Sequence, residues 1–261
     1  MEETLDVVDG YIDSGLPHQH VVVNVDKLVK ASRDPGLRRI INGCDLINAD
    51  GMPVVWASRL VGKPLKARVT GVDLFYALMK RSAQRGWRVY LLGARPEVVR
   101  TVKERFEQTC PGLNVVGWRD GYWKPDEEAG VVEQIRLARP DILFVAISSP
   151  RKEQFLGRHQ QTMRVPFAMG VGGSFDVVAG RIKRAPVWMQ RVGLEWFHRF
   201  LKEPRRMFRR YFIEDMAFLG LLVREFLRVD TVDARDKVRD QRLLREGGDM
   251  TERVPSRSAD L

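Results

Sequence analysis

The chain has 261 residues, 44% of them hydrophobic, and a formal net charge of +10. That length and composition suit one sizeable α/β domain with an appendage, and no apolar run approaches the ~20 residues of a membrane-spanning helix. Two cysteines, Cys44 and Cys110, supply neither a metal spacing nor a disulfide framework and fit reduced, cytosolic thiols.

The acidic opening, MEETLDVVDGYIDSG, lacks the basic and apolar regions of a signal peptide and is expected to be a loose start. His20-Val21-Val22-Val23-Asn24-Val25 follows as a short, β-branched buried strand ending in a polar Asn24. Two short helical pieces are split by Asp34-Pro35-Gly36, and a second strand is expected over Cys44–Ile47. It leads to an acid on a tight turn, Asp50-Gly51. Met52 to Val61 carries apolar residues at helical spacing. Arg68 precedes Thr70-Gly71-Val72-Asp73, where Thr70 can cap a helix and Asp73 can complete the capping box. The spacing of Leu74, Phe75, Leu78 and Met79 predicts an amphipathic helix over Gly71–Arg85, stopped by Gly86.

Beyond it the chain alternates. Strands are expected at Trp87–Leu92, Leu113–Gly117, Ile142–Ile147 and Pro166–Met169, with helices at Pro96–Gln108, at Asp126–Ala138 and after Ser148-Ser149-Pro150. This alternation predicts a mostly parallel, Rossmann-like sheet with helices on both faces. From Pro186 the character changes, as aromatics interleave with arginines in a helix-compatible run. Arg181–Arg228 holds 12 Lys/Arg against 5 Asp/Glu, whereas Val229–Leu261 holds 7 against 8. The expected organisation is therefore an α/β domain over 1–193, a basic aromatic helical appendage over 194–228 and a charged tail, disordered or weakly helical, over 229–261. The localised charge suits a polyanionic partner: nucleic acid, anionic lipid or a phosphate-bearing substrate.

The motifs exclude more than they select. Gly170-Val171-Gly172-Gly173 lacks the dinucleotide spacing and falls at the last strand rather than the first. No Walker sequence or Cys/His cluster is present, and Ser148-Ser149 lacks the glycines of a nucleophile elbow. What remains is a set of polar residues at strand ends: Asn24, Asp50, Arg68, Tyr122, Arg151-Lys152-Glu153 and Asp176. A parallel sheet brings its strand C-termini to one edge, where such residues can meet. Arg68 is an always-charged fork suited to phosphate or carboxylate.

Several of these stretches together resemble a known family. Asn48-Ala49-Asp50-Gly51, Arg68-Val69-Thr70-Gly71-Val72-Asp73, Ser149-Pro150-Arg151-Lys152-Glu153 and Gly170 through Gly180 are similar to the TagA/WecG/CpsF family of bacterial glycosyltransferases. So are Arg184-Ala185-Pro186, Leu194-Glu195-Trp196, Arg199 and Glu203-Pro204-Arg205-Arg206.

The resemblance implies an inverting reaction without metal or cofactor, from a UDP-sugar donor to a polyprenyl-diphosphate-linked sugar, at the cytoplasmic face of the bacterial membrane. It implies Asp50 as general base, with Asn24 and Arg68 beside it. Tyr122 matches the position that stacks on uracil and Asp176 the one beside the base; Gly172 and Gly173 would let the backbone approach the nucleotide. Thr70, Lys152, Glu153 and Arg184 fall on the family's substrate-site motifs. Arg199, Arg206 and Arg209 of the appendage would offset diphosphate charge, as Arg68 would.

Two positions depart from the pattern: Val22 where many members have Thr, and Lys152 where they have Gln. They leave the donor sugar open between N-acetylmannosamine, glucose and a uronic acid. The partners implied are the two substrates and an anionic membrane surface, with a homo-oligomer left open. The rival class is a nucleic-acid-binding protein, since aromatics interleaved with arginines also suit RNA.

Overall fold

Six apolar segments of four to six residues join one sheet in a computed structural model that describes residues 1–191, 195–202, 204, 208 and 216–227. The strands are β1 (His18–Val23), β2 (Leu46–Ala49), β3 (Arg88–Gly93), β4 (Asn114–Arg119), β5 (Ile142–Ala146) and β6 (Phe167–Gly170). They lie in the order β2-β1-β6-β5-β3-β4, and each neighbouring pair is parallel. Parallel neighbours require crossovers, and the helices supply them.

Alternation along each strand assigns the two faces. Val89 and Leu91 of β3, Ile142 and Phe144 of β5, and Phe167 and Met169 of β6 enter the larger core. There they meet α1 (Glu2–Ser14), α5 (Gly71–Arg85), α6 (Pro96–Thr109) and α9 (Ser174–Val178). Tyr90, Leu92, Leu143, Val145 and Ala168 turn the other way, onto α7 (Glu128–Ala138) and α8 (Arg151–Met163). Val21 and Val23 of β1 complete that second face with α2 (Val25–Arg33) and α3 (Pro35–Asn42). The remaining helices are α4 (Met52–Leu60), α10 (Val187–Arg191) and α11 (Glu195–Lys202), and residues 216–227 are helical.

Local chemistry sets most boundaries. Asp34 ends α2 and accepts from the backbone N–H groups of Gly36 and Leu37, capping α3. Thr70 caps α5, and Gly86 closes it in the left-handed conformation at φ 71°.

The start of the chain differs from expectation. Residues 2–14 form a helix, and Leu5, Val8 and Ile12 are buried in the larger core. Asp6 and Asp9 bind Arg81 at 3.1 and 3.0 Å, and Asp9 binds Arg85 at 2.6 Å, clamping α1 to α5. Strand β2 also begins two residues later than expected. The Asp45 carboxylate accepts from the Gln19 backbone N–H at 2.8 Å, and regular pairing starts at His20↔Leu46.

Candidate active site

Chain direction defines where a ligand can sit. From β3 the chain moves outward to β4, whereas from β5 it moves inward to β6. The crossovers after β3 and β5 therefore leave in opposite directions, and a crevice opens between the strand ends, the usual ligand position in an open α/β sheet. A pocket of about 320 Å³ occupies that place, lined by Ala94 after β3, Tyr122 after β4, Ser148 and Arg151 after β5, and Gly172, Gly173 and Asp176 after β6. Gly93 makes the junction: at φ 119°, any Cβ there would lie 2.5 Å from the carbonyl of Ala146.

Four of the expected site residues, Tyr122, Gly172, Gly173 and Asp176, thus line one pocket. Tyr122 is 69% exposed. The Arg151 guanidinium holds the loop that presents it, stacking 4.4 Å over the Trp123 ring and donating to the carbonyls of Gly121 and Trp123 at 3.3 and 3.4 Å. A Cβ on Gly172 or Gly173 would meet no atom within 4 Å, so the backbone there stands open to the pocket.

Asp50 and Asn24 form a second group at the far end of the same edge. Val23 pairs with Ala49, and the Asp50 N–H donates to the Val23 carbonyl at 2.8 Å, so the two residues that follow the strands are neighbours. Gly51, at φ 120°, turns the chain directly after Asp50. The Val69 N–H donates to the Ala49 carbonyl at 3.0 Å and brings Arg68 alongside. With strands ~4.8 Å apart, Asp50 stands roughly 17 Å along the edge from the β3/β5 junction.

Several polar groups here are already committed to the fold. Asn24 caps α2, its Oδ1 accepting from the Lys27 N–H at 3.0 Å. The Thr70 hydroxyl accepts from the Asp73 N–H at 3.1 Å and donates to the Asp73 carboxylate at 2.5 Å. Arg184 binds Asp73 at 2.6 Å and Glu195 at 3.3 Å. Arg68 donates to Glu195 at 3.1 Å and to the Gln190 carbonyl at 3.2 Å. Burial would raise the Asp73 carboxyl, but the hydrogen bonds from Arg184 and Thr70 and the charges of Arg184 and Arg68 hold it below the usual carboxylate value.

Lys152 and Glu153 do not line the pocket. They are 7% and 1% exposed, and Glu153 Oε1 receives two ammonium groups, Lys27 at 2.7 Å and Lys152 at 2.9 Å. The Lys152 stem crosses Gly170, where a Cβ would lie 2.6 Å from its Cε. Burial raises the Glu153 carboxyl, but the two lysine charges prevail and hold it below the ordinary value. Burial and the charge of Lys152 push Lys27 down, against the pull of Glu153.

Arg199 falls on α11, but its side chain lies outside the described residues, as do Arg206 and Arg209 entirely. Sequence reading missed Lys27, because a lysine in the first turn of an amphipathic helix is ordinarily solvated. It assigned no role to Glu195, although Leu194-Glu195-Trp196 was among the telling motifs.

A doubly wound parallel sheet with a polar crevice at its switch point is the architecture of an α/β protein that takes its ligand at the C-terminal strand ends. The model of the glycosyl transferase WecG/TagA/CpsF family matches residues 1–231. Two relatives carry the name N-acetylglucosaminyldiphosphoundecaprenol N-acetyl-β-D-mannosaminyltransferase. The one from Bacillus spizizenii is 36% identical and the one from Bacillus subtilis 34%, in each case over 196 residues, 75% of this chain and 76% of the relative. The chain belongs to the WecG/TagA/CpsF family and is a glycosyltransferase.

Proposed function

We propose that the enzyme moves a sugar from a UDP-sugar to a polyprenyl-diphosphate-linked sugar in cell-surface polymer synthesis, with inversion and without a divalent metal. The observation that carries this reading is the division of one sheet edge. An open pocket with an exposed aromatic ring and bare glycine backbone lies at one end, and a strand-end carboxylate lies at the other. An elongated donor with a base at one end and a reactive sugar at the other suits that separation.

Tyr122 would stack on uracil with Asp176 beside it, and the backbone at Gly172 and Gly173 would approach the nucleotide. Asp50 would take the proton from the acceptor hydroxyl as its oxygen bonds to the anomeric carbon, while the bond to UDP breaks and UDP leaves with the electron pair. Arg68 and Arg184, with Arg199, Arg206 and Arg209, would offset the diphosphate charge. The relatives' names contain a diphosphoundecaprenol acceptor and support a polyprenyl acceptor here. N-acetylmannosamine, glucose and a uronic acid are the donor sugars to compare.

A lipid-linked acceptor would put the enzyme at the inner face of the cell membrane as a peripheral protein. No helix among the described residues is long and apolar enough to cross a membrane. In residues 216–227, Met216, Leu219, Val223 and Phe226 are exposed at helical spacing. Such a stripe on a helix that also carries Arg224 suits an interfacial helix.

A screen of UDP-sugars with a polyprenyl-diphosphate-sugar acceptor tests the reading. Acceptor-stimulated release of UDP is expected from one of them. No release from any of them would refute the UDP-sugar and polyprenyl-acceptor reading.

A further inference from the structure

Helix α4 begins at the residue after Gly51, so the turn that carries Asp50 leads straight into it. Its sequence, Met52-Pro53-Val54-Val55-Trp56-Ala57-Ser58-Arg59-Leu60, is apolar except for Ser58 and Arg59, yet only Val55 is buried. Trp56 and Leu60, one turn apart on the same face, are 47% and 61% exposed. Leu65 in the following loop is 41% exposed.

The loop is built, not slack. Gly62 turns at φ 71°, the Lys63 N–H donates to the Ser58 carbonyl at 2.8 Å, and the Leu65 N–H donates to the Ser58 hydroxyl at 3.0 Å. These bonds tie Leu65 beside the exposed end of the helix and spend backbone donors that an apolar medium could not satisfy.

The charge is one-sided. Between Gly51 and Val72 there are four basic residues, Arg59, Lys63, Lys66 and Arg68, and no acidic one. Arg68 is held by Glu195, and Lys66 meets Glu3. Arg59 and Lys63 are exposed and form no ion pair among the described residues. An exposed tryptophan and two leucines flanked by solvent-facing cations are the pattern of an interfacial anchor, with ring and aliphatic chains in the headgroup region and cations on lipid phosphates.

We infer that α4 and its loop, residues 52–67, form a lipid-facing surface on the catalytic domain itself, separate from the appendage, whose occupant is an anionic bilayer. The inference rests on the proposed lipid-linked acceptor. That substrate must bring its sugar to Asp50 while its chain stays in the membrane, so the bilayer has to approach this corner of the sheet. The α4 surface sits where it would arrive.

Two measurements test this. In hydrogen exchange of the full chain, vesicles of equal parts phosphatidylglycerol and phosphatidylethanolamine should slow exchange over 52–67, and neutral phosphatidylcholine vesicles should not. The variant W56Q/L60Q/L65Q should keep its thermal unfolding and its transfer to a water-soluble, short-chain acceptor. It should lose about tenfold or more in transfer to a long-chain acceptor held in the anionic vesicles, and R59S/K63S should lose about as much, as expected for two lipid-facing cations.

Protection confined to the appendage would overturn the inference. So would equal losses on both acceptors, or protection that rises with protein concentration without vesicles, which would identify a second copy as the occupant. Vesicle-dependent protection at 52–67 in a protein that transfers to no polyprenyl acceptor would uphold the surface and refute the functional reading alone.

Discussion

The two ends of the sheet's C-terminal edge solve different problems. At the β3/β5 junction the pocket residues are open: Tyr122 projects 69% exposed, and Gly172 and Gly173 bring no side chain. At the β1/β2 end the charged residues are bound to one another, with Arg68 and Arg184 on Asp73 and Glu195, and Lys27 and Lys152 on Glu153. An open, weakly charged pocket can receive a flat base with little rearrangement. A paired cluster fixes its geometry in advance, and an arriving diphosphate must compete with carboxylates already in place. The difference suggests a division between binding and chemistry, since preorganised charge matters most where charge develops in the reaction.

The largest expected effect falls on the paired end. Glu153→Gln leaves two ammonium groups buried against a neutral amide and should cost about 3–5 kcal/mol, the usual range for breaking a buried pair from one side. Lys152→Gln leaves one ammonium opposite one carboxylate and should cost far less. Denaturant unfolding of both variants decides it; equal losses would mean that Lys152 and Lys27 are not sharing one counter-charge.

Next comes Asp50. Asp50→Asn keeps the shape but not the basicity and should lower turnover about 100-fold or more with UDP affinity nearly intact. Turnover within a few-fold of wild type would remove Asp50 from the role of base. At the open end, Tyr122→Ala should weaken UDP binding by the worth of one base–aromatic stack, about 1–3 kcal/mol. Calorimetric titration with UDP reads it, and unchanged affinity would place the uracil elsewhere.

The smallest effect concerns the α5 cap. Thr70→Ala removes a cap and should cost about 1 kcal/mol. Asp73 adds a pH dependence of known sign. Its folded carboxyl lies below the ordinary value, so its contribution is complete at neutral pH. It is lost as pH falls below about 4, the unfolded value. Asp73→Asn should flatten that acid limb of the melting temperature, and an unchanged limb would assign it to other carboxylates such as Asp9 and Glu153.

Much of this was legible in the sequence because the signals were local. The α5 boundaries were read from Thr70 and Gly86, both of which act within a turn of the helix they end. Alternation of strands and helices predicted the parallel sheet, and strand-end polarity marked Asn24, Asp50, Tyr122 and Asp176. The opening segment was misjudged because its acidic residues obscured the Leu5, Val8, Ile12 stripe. Two of those acids are there to meet Arg81 and Arg85, 72 to 76 residues away.

What the sequence determined by itself was the set of elements, the fold class and the family's motifs, because propensity, capping and periodicity are short-range and need no partner. Only the tertiary structure decided the rest. Strand order placed the pocket between β3 and β5 and set Asp50 apart from it. Burial joined Lys152 and Glu153, which the motifs had marked only as strand-end polar residues, into an internal ion cluster with Lys27. Glu195 came back from α11 to hold Arg68 and Arg184, a contact across 127 and 11 residues. In each case the deciding quantity was charge or space supplied by a residue distant along the chain.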